Sequence, residues 1–291
     1  MLEDFEKITK MIDCNFLLKN TKMDATQVKK YYKLNKFAYR KIYSNDGFMH
    51  MRISIDGKIK DEDLLYQVNK VDEHLGKAKH VLELGCGQGA NISVLASRHP
   101  NIDFKGIDLY PSIKKELSNV ELISGDYHNM PFFDDNTFDV VYAFETLCHS
   151  TDKEKLFKEI FRVLKKGGIF ILYDGYANKK DKSLTKQEKE IMTLVEKGMC
   201  VDKFDFINDV EKHIKKAGFK TISSTDMSDY VLPNMKYLKN KVAKFFKLGY
   251  SFRLICKILP KKFVGNAVSG YLLYGATKEG LFVYKESIYK E

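Results

Sequence analysis

The chain of 291 residues contains no tryptophan, and its five cysteines are scattered and never spaced as C-x-x-C. An odd number of isolated thiols provides neither a disulfide framework nor a zinc site, so we expect reduced cysteines and no bound metal. No stretch approaches the ~20 apolar residues of a membrane span, and the N-terminus lacks a basic start followed by an apolar core. A cytoplasmic protein is therefore predicted.

Acidic residues are missing from residues 230–278, which carry ten lysines and arginines, so this segment holds the whole net charge of +10. Apolar residues alternate with these basic ones in a pattern typical of an amphipathic helical pair. Three interpretations stay open. The lysines cover a solvated helix face, residues 236–262 make a peripheral contact with a membrane, or the segment binds the phosphate of a substrate.

The most informative stretch is residues 80–91, where an apolar run is followed by Gly85, Gly87 and Gly89 and then by a helical pattern over 91–98. Glycines at alternate positions let the backbone turn with positive φ and let a ligand approach closely. The spacing predicts a strand, a tight loop and a helix start that bind a nucleotide-type cofactor. A dinucleotide also satisfies the loose G-x-G-x-x-G/A pattern and is the rival ligand.

Acidic residues near this loop favour a different cofactor. Glu83 would repel a pyrophosphate but could pair with a cationic amino-acid group. Asp108, at the end of the next apolar run, could accept hydrogen bonds from both hydroxyls of a ribose. Asp126 and Tyr127 follow the third run.

This ordered series resembles the class I S-adenosylmethionine-dependent methyltransferases over residues 78–175. The resemblance implies that the three glycines wrap the methionine part of S-adenosyl-L-methionine, that Asp108 holds the ribose and that Asp126 meets the adenine amine. The cofactor-binding residues predicted in this way are Glu83, Gly85, Gly87, Gly89, Asp108, Leu109, Asp126, Tyr127 and Glu145.

The apolar pattern alternates between strands and helices, which predicts an α/β fold: a Rossmann-like, seven-stranded, doubly wound sheet with N-terminal helices and a helical lid insertion before the last strand. Helices are predicted within 1–22, from an N-cap at Asp24 to about 43, and over 61–75, 153–164 and 206–217, with Gly167 and Gly168 as stop signals before strand five. Strands are predicted at 80–84, 102–107, 120–123, 138–144, 168–173, 219–223 and 280–284. The predicted division is a helical cap with an active-site segment (1–75), the core (76–229), the basic lid (230–278) and the last strand (279–291).

Two segments around the predicted site carry a narrower resemblance. Residues 145–150 after the fourth strand, together with 125–132 and 157–168, look like the sterol 24-C-methyltransferase branch, and 47–51 is similar to its aromatic-histidine segment. The resemblance implies C-methylation of an apolar, isoprenoid-like small molecule, and relatives also act on prenyl diphosphates, so the acceptor could be phosphorylated. The tyrosine- and tryptophan-rich run of that branch is reduced here to residues 43–48, which favours an acceptor other than a true sterol.

Candidate general bases are Glu145, His149 and His50, in that order, and last Asp174 after the fifth strand, because a carboxylate or imidazole can remove the final proton. Glu145 could instead bind the methionine ammonium group, His149 could serve only as a hydrogen-bonding partner, and His50 could be a surface residue. The aromatic face of the second helix either packs in the core or forms a substrate wall. The predicted substrate-contacting residues are Tyr39, Tyr43, Phe48, His50 and Tyr173.

Other functions are compatible with parts of the pattern. An O- or N-methyltransferase of another metabolite would use the same cofactor site. The basic segment could bind RNA, but the fourth strand lacks an Asn/Asp-Pro-Pro-Tyr tetrapeptide and no nucleic-acid module is recognisable, so nucleic acid is not the expected partner. A non-enzymatic cofactor-binding protein is the third alternative. The pattern does not decide whether the protein forms a homo-oligomer.

Overall fold

The computed structural model describes residues 1–18, 25–42, 46–114 and 116–291, and the side chains of 25 and 36–42 are outside the description. Among the described residues there are seven strands. They are β1 (His80–Leu84), β2 (Asp103–Asp108), β3 (Val120–Ser124), β4 (Phe138–Phe144), β5 (Leu164–Ala177), β6 (Lys220–Asp226) and β7 (Phe282–Lys290). They form one sheet in the order β3-β2-β1-β4-β5-β7-β6, with β7 antiparallel to both neighbours and the first five strands parallel. The predicted fold class is confirmed.

The described helices cover both faces of this sheet and one end of it. They are α1 (Leu2–Met11), α2 (Asn15–Leu18), α3 (Ala25–Ile42), α4 (Tyr66–Asp72), α5 (Ala90–Arg98), α6 (Lys153–Val163), α7 (Lys186–Gly198), α8 (Ile207–Ala217), α9 (Ser228–Phe245), α10 (Tyr250–Ile258) and α11 (Lys261–Lys278), with short 3-10 turns such as Asp61–Leu65 before α4. None of the helices in the described ranges combines the length and the apolar character needed to cross a membrane.

Alternate residues of the central strands separate two buried apolar clusters, because successive side chains of a strand point to opposite faces. Val81 and Tyr142 belong to one cluster, whereas Leu82 and Val141 belong to the other. The first cluster continues into α11, whose Leu272 is buried. The helices before β7 therefore share the core of the sheet.

Four local predictions need correction. Residues 1–18 form two helices instead of one, and the predicted cap residue Asp24 lies outside the described residues. Residues 165–168 are not a turn before β5 but a bulge within it, since Leu164 pairs with Phe138 and Ile169 pairs with Val140. In the basic lid, α9 and α10 contain the predicted helical pair, and α11 is an additional helix that was not predicted. The last two strands begin later and extend further than predicted, because their cross-strand pairing continues into polar residues.

The register of the sheet brings the predicted cofactor residues together. Leu84 at the end of β1 pairs with Ile107, next to the end of β2, and with Ala143 near the end of β4. Strand order reverses at β1, which has β2 on one side and β4 on the other. In open α/β sheets such a switch point leaves a crevice at the carboxyl ends of the strands, where ligands bind.

Candidate active site

The loop between β1 and α5 is built from glycines with left-handed backbone. Gly85, Gly87 and Gly89 have φ of +68°, +51° and +63°. A Cβ on Gly85 would lie 2.1 Å from the Oγ1 atom of Thr146, so no side chain fits there. A Cβ on Gly87 would meet no atom within 4 Å. Gly85 is therefore required by packing, whereas Gly87 keeps the space beside the loop open.

Asp108 connects the end of β2 with the glycine loop. Its Oδ2 accepts a hydrogen bond from the N–H of Gly87 (3.1 Å), and its Oδ1 accepts one from the N–H of Tyr110 (2.9 Å). A carboxylate has about four acceptor positions, so each oxygen can accept a further bond. The side chain is therefore fixed in place by the loop and still able to bind the two hydroxyls of a ribose.

Asp126 and Tyr127 lie beyond the end of β3 on the opposite wall of the same crevice. The Oδ1 of Asp126 accepts hydrogen bonds from the N–H of His128 (2.9 Å) and from its Nδ1 (2.6 Å). Burial alone would raise the pKa of Asp126, but the bonds from His128 lower it overall. The hydroxyl of Tyr127 donates to the carbonyl of Thr146 (3.0 Å), which fixes the ring at the cleft wall.

These elements enclose a cleft of about 740 Å³, a volume typical of small-molecule and cofactor sites. Its lining includes the following residues predicted from the sequence: Gly85, Gly87, Asp108, Leu109, Asp126, Tyr127, Glu145, His149 and His50. The open side of Gly87 and the fixed carboxylates fit an adenosyl cofactor with an amino-acid tail. We infer that these residues hold S-adenosyl-L-methionine.

Two residues predicted to touch the cofactor do not line this cleft. Glu83 is only 1% exposed, and its Oε1 accepts a hydrogen bond from the Nδ2 of Asn91 (2.9 Å). Burial is the main cause that raises the pKa of Glu83 to about 7, so it is a poor partner for an ammonium group. Gly89 serves as the N-cap of α5. Both residues support the loop from behind, and their contact with the cofactor stays a prediction.

His50 continues the buried hydrogen-bond chain from Glu83. Its Nε2 lies 2.9 Å from the Oδ1 of Asn91, and its Nδ1 lies 3.2 Å from the carbonyl oxygen of Met51. Burial lowers the pKa of His50, which favours the neutral ring. A neutral ring satisfies both contacts when its Nδ1–H donates to the Met51 carbonyl and its Nε2 accepts. This arrangement requires the Asn91 amide in its flipped orientation, in which the nitrogen donates to Nε2 and the oxygen accepts the proton of a neutral Glu83. Both ring nitrogens are then engaged, which favours a positioning role for His50.

Glu145 follows β4 directly and has an unusual backbone, with a φ of +50°. A non-glycine residue in this region is strained, and such residues are often found at functional sites. Its Oε1 accepts hydrogen bonds from the N–H of Met51 (2.6 Å) and from the hydroxyl of Tyr284 (2.8 Å). Burial is the main cause that raises the pKa of Glu145 to about 8.

Behind the cleft lies a smaller chamber of about 70 Å³, which Glu145 also lines. Most of its walls are apolar, and they come from the sheet, from α3 and from the helices before β7. The lining includes Met49, Met51, Met199, Val201, Phe204, Met235, Leu273, Phe282 and Val283. Tyr32, Met49, Glu145 and His149 line both cavities. The reacting groups of cofactor and acceptor can therefore meet beside Glu145.

His149 is the second titratable group at this junction. Its Nε2 lies 3.0 Å from the hydroxyl of Tyr32, and its Nδ1 has no regular hydrogen bond within the described part of the chain. Burial lowers the pKa of His149 to about 4, with a smaller opposing effect from the backbone of Cys200. The ring is therefore neutral at physiological pH, with Nε2 held by Tyr32 and Nδ1 buried.

The predicted substrate-contacting residues have mixed positions. The side chains of Tyr39 and Tyr43 lie outside the described residues. Phe48 and Tyr173 are buried in the apolar core and line neither cavity, contrary to the sequence-based prediction. Phe48 packs edge-on against His50, with ring centroids 5.7 Å apart, and the Tyr173 hydroxyl donates to Glu286. Phe48 lies in the predicted active-site segment and Tyr173 lies on β5, but the side chains of both residues point to the core.

Tyr32 and Tyr284 line the chamber but were not among the predicted site residues. Tyr32 lies on the aromatic face of α3 that the sequence left open between core and substrate wall, and Tyr31 beside it is buried and donates to Asn266 (2.7 Å). Tyr284 reaches Glu145 from β7, far away in sequence. Asp174, with a pKa raised to about 6 mainly by burial, follows the predicted core of strand five. The aromatic spacing of the second helix and the strand-end position of Asp174 gave local signals, whereas Tyr284 had none.

The open side of Gly87 leads to a sharp prediction. Gly87→Ala should lower the affinity for S-adenosylhomocysteine by about tenfold or more, because the new methyl group projects into the cleft. Gly57→Ala is a matched control, since Gly57 also has positive φ (+74°) and no atom within 4 Å of an added Cβ, yet lies outside the cleft. Calorimetric titration should show weakened binding for the first variant alone, while both lose similar thermal stability. Equal affinities in the two variants would contradict this cofactor position.

Comparisons with known proteins agree with this geometry. Residues 82–172 match the family described as "Methyltransferase domain". The 24-methylenesterol C-methyltransferase 2 of Arabidopsis thaliana is 30% identical over 191 residues, which cover 62% of this chain and 52% of the relative. The cycloartenol-C-24-methyltransferase 1 of Oryza sativa is 31% identical over 205 residues, which cover 65% and 59%. The chain thus spans little more than half the length of these two relatives.

The fold is also that of solved methyltransferase-like structures. The cyclopropane synthase MmaA2 from Mycobacterium tuberculosis superimposes with a TM-score of 0.72, covering 92% of this chain and 99% of that one at 13% identity. Such a low identity establishes the fold and nothing more specific. The matched domain, the cleft and the similarity to two sterol C-methyltransferases lead to one conclusion. Residues 82–172 match a methyltransferase domain, and the chain resembles class I S-adenosylmethionine-dependent methyltransferases of the sterol 24-C-methyltransferase branch.

Proposed function

We propose that the protein transfers the methyl group of S-adenosyl-L-methionine to a carbon atom of an apolar, isoprenoid-like small molecule. The observation that carries the proposal is the position of Glu145, whose carboxyl group lies where the cofactor cleft meets the apolar chamber. The similarity to proteins named sterol C-methyltransferases supports an alkene carbon as the methylated atom. A mostly apolar chamber with the Glu145 carboxyl group at its junction with the cleft suits that chemistry.

When bound, the cofactor supplies an electrophilic sulfonium methyl group. Attack by an alkene carbon on this methyl group would form a carbon–carbon bond as the sulfur–methyl bond breaks, which would release S-adenosylhomocysteine and leave a cation on the neighbouring carbon of the acceptor. The chamber excludes water, which would otherwise quench this cation, and aromatic faces such as that of Tyr32 can stabilise a cation by roughly 0.5 to 2 kcal/mol each. The Glu145 carboxylate then takes a proton from an adjacent carbon, and the electron pair of that C–H bond forms a new double bond.

The helices of the basic lid control how an acceptor reaches Glu145. The chamber of about 70 Å³ holds only the reactive end of an isoprenoid. The rest of the acceptor must therefore extend into the cleft or between the helices of the basic lid. Met235 of α9 and Leu273 of α11 form part of the chamber wall. Small movements of these helices would admit a longer chain. We propose peripheral membrane contact through residues 236–262 as the source of such an acceptor.

The mouth of the cleft favours a phosphorylated acceptor as a second candidate. Lys29, Lys33 and Lys155 all line the cleft, while the chamber itself is apolar. A prenyl diphosphate could place its charged end among these lysines and its alkene end toward Glu145. The two candidates share the transfer chemistry and differ in the charge of the acceptor.

One experiment tests the proposal and separates these acceptors. The protein is incubated with methyl-labelled S-adenosyl-L-methionine and either a total lipid extract or a polar metabolite extract. We expect labelled product in the lipid extract, and loss of that product after phosphatase treatment of the extract would identify a phosphorylated acceptor. Transfer only to polar metabolites or only to added RNA would refute the proposal. Tight binding of S-adenosylhomocysteine without transfer to any extract would favour a non-enzymatic protein.

A further inference from the structure

Helix α10 carries large apolar side chains on its buried side and on its exposed side. Phe252 is buried, and its ring stacks on Phe245 and approaches Phe246, with centroids 6.1 and 5.8 Å apart. At about 100° per residue, Leu254 and Ile258 lie about 160° and 120° around the helix from Phe252, whereas Ile255 lies about 60° from it, at the edge of the buried side. The side chains of Leu254, Ile255 and Ile258 are 43%, 42% and 86% exposed. The inner side thus anchors the helix to the protein, and the outer side has no cover within the described chain.

The turn before α10 enlarges this surface. Phe245, Leu248 and Tyr250 are 54%, 49% and 71% exposed. Together with Leu254, Ile255 and Ile258, they form what we call the outer apolar face. Six large apolar or aromatic side chains exposed within fourteen residues of sequence are unusual on a protein surface and mark an interaction site. Exposed apolar side chains are otherwise scattered singly.

Basic residues surround the outer apolar face without carboxylate partners. Lys244, Lys247, Lys257 and Lys261 are exposed, and none of them forms an ion pair with any residue in the described ranges. Residues 230–278 contain no acidic residue at all. An apolar surface ringed by unpaired lysines is complementary to a layer with an apolar interior and an anionic surface.

We propose that the outer apolar face docks the protein onto an anionic membrane surface, with α10 lying in the plane of the headgroups. The side chains of Ile255 and Ile258 would insert among the acyl chains, and the surrounding lysines would contact lipid phosphates. Aliphatic side chains at the centre favour lipid over nucleic acid, which would require stacked aromatic rings or arginines there. The functional role of this docking rests on the proposed apolar acceptor. The docking itself rests on the exposed apolar side chains and the lysines and does not require methyl transfer.

The position of α10 gives this surface a connection to the active site. Helix α9 precedes it and α11 follows it, and these two helices supply Met235, Leu273 and Thr277 to the chamber wall. Phe246 at the base of the outer apolar face packs against Tyr271 of α11, with ring centroids 4.8 Å apart. A membrane bound at α10 therefore lies against the helices through which an apolar acceptor would enter.

Vesicle co-sedimentation tests the proposal on the full chain with S-adenosylhomocysteine present and no acceptor. We expect binding to phosphatidylcholine vesicles that contain phosphatidylserine, and much weaker binding to pure phosphatidylcholine. The double variant Ile255→Asp, Ile258→Asp should bind the anionic vesicles at least about tenfold more weakly. Ile222→Asp is the matched control, because Ile222 is an exposed isoleucine too (54%) but lies on β6, outside the outer apolar face. Its binding should equal that of the wild type.

Several outcomes would overturn the proposal. Equal vesicle binding by wild type and double variant would exclude the outer apolar face as the docking surface. A wild-type dimer in analytical ultracentrifugation that the double variant converts to monomer would show that a second copy covers this face. RNA binding that the double variant abolishes would identify nucleic acid as the partner. Unchanged S-adenosylhomocysteine affinity shows that each variant is folded, so failed methyl transfer and failed docking remain separable.

Discussion

Asp108→Ala is expected to lower the affinity for S-adenosylhomocysteine by about two to four orders of magnitude. Two charge-assisted hydrogen bonds to a ribose contribute on the order of 1.5 to 3 kcal/mol each, and a tenfold change in affinity corresponds to about 1.4 kcal/mol. The substitution also removes the acceptor for the N–H groups of Gly87 and Tyr110. The glycine loop then loses the contact that fixes its position, so the loss exceeds that of the ribose bonds alone. Isothermal titration calorimetry measures this loss of affinity for S-adenosylhomocysteine directly.

The same strand offers a control for this substitution. Asp103 begins β2 and forms exposed ion pairs with Lys105 and His80, far from the carboxyl end of the sheet. Asp103→Ala should leave cofactor affinity unchanged within about twofold, since exposed ion pairs contribute little. Asp108→Asn keeps one acceptor oxygen and should fall between wild type and Asp108→Ala. Wild-type affinity in Asp108→Ala, or a calorimetric signal with a nicotinamide dinucleotide alone, would refute the proposed cofactor site.

The parts of the site that were predictable from sequence are those made by neighbouring residues. The glycine loop after β1 and the acidic residue after β2 are short-range features, and parallel strands bring their ends to one edge of the sheet. The family resemblance assigned Gly87 and Asp108 to the same cofactor, and the 3.1 Å hydrogen bond between them agrees with that assignment. The alternation of apolar runs is also a short-range feature, and it predicted the fold class.

The remaining features depend on tertiary packing, which local patterns do not report. Glu83 has the sequence position of a cofactor ligand, but the fold buries it behind the loop against Asn91. Tyr173 was predicted to contact the substrate, but its side chain is buried in the core. The alternation of side chains along a strand does not say which side of the sheet faces the ligand. Tyr284 approaches Glu145 only because β7 inserts antiparallel between β5 and β6. That pairing joins residues 139 positions apart.

Glu145→Gln is expected to reduce the rate of methyl transfer by about two to four orders of magnitude if Glu145 is the general base. The amide oxygen of glutamine can still accept the bonds from Met51 and Tyr284, so the backbone geometry should persist and S-adenosylhomocysteine should bind normally. A general base must be ionised to act. Because burial raises the pKa of Glu145 to about 8, the rate of the wild type should rise with pH up to about 8 and then level off. Single-turnover rates at several pH values measure both effects.

The same ionisation acts on stability in the opposite direction. A carboxyl group whose pKa is raised on folding stabilises the native state fully below its unfolded value, and this contribution is lost as pH rises through the folded pKa. The wild type should therefore lose stability between about pH 4.5 and about pH 8 relative to Glu145→Gln. Glu196→Gln is the matched control, since burial also raises the pKa of Glu196 to about 7 while its side chain lines neither cavity.

The control separates catalysis from the general effect of a buried carboxyl group. Both variants should melt at higher temperature than the wild type at alkaline pH, but only Glu145→Gln should lose the pH dependence of the transfer rate. If Glu196→Gln changed that dependence equally, the rate would follow overall stability and Glu145 would not be the base. If Glu145→Gln kept both the rate and its rise toward pH 8, His149 could not explain that rise, because its pKa is lowered to about 4. A different group, or the acceptor itself, would then have to release the proton.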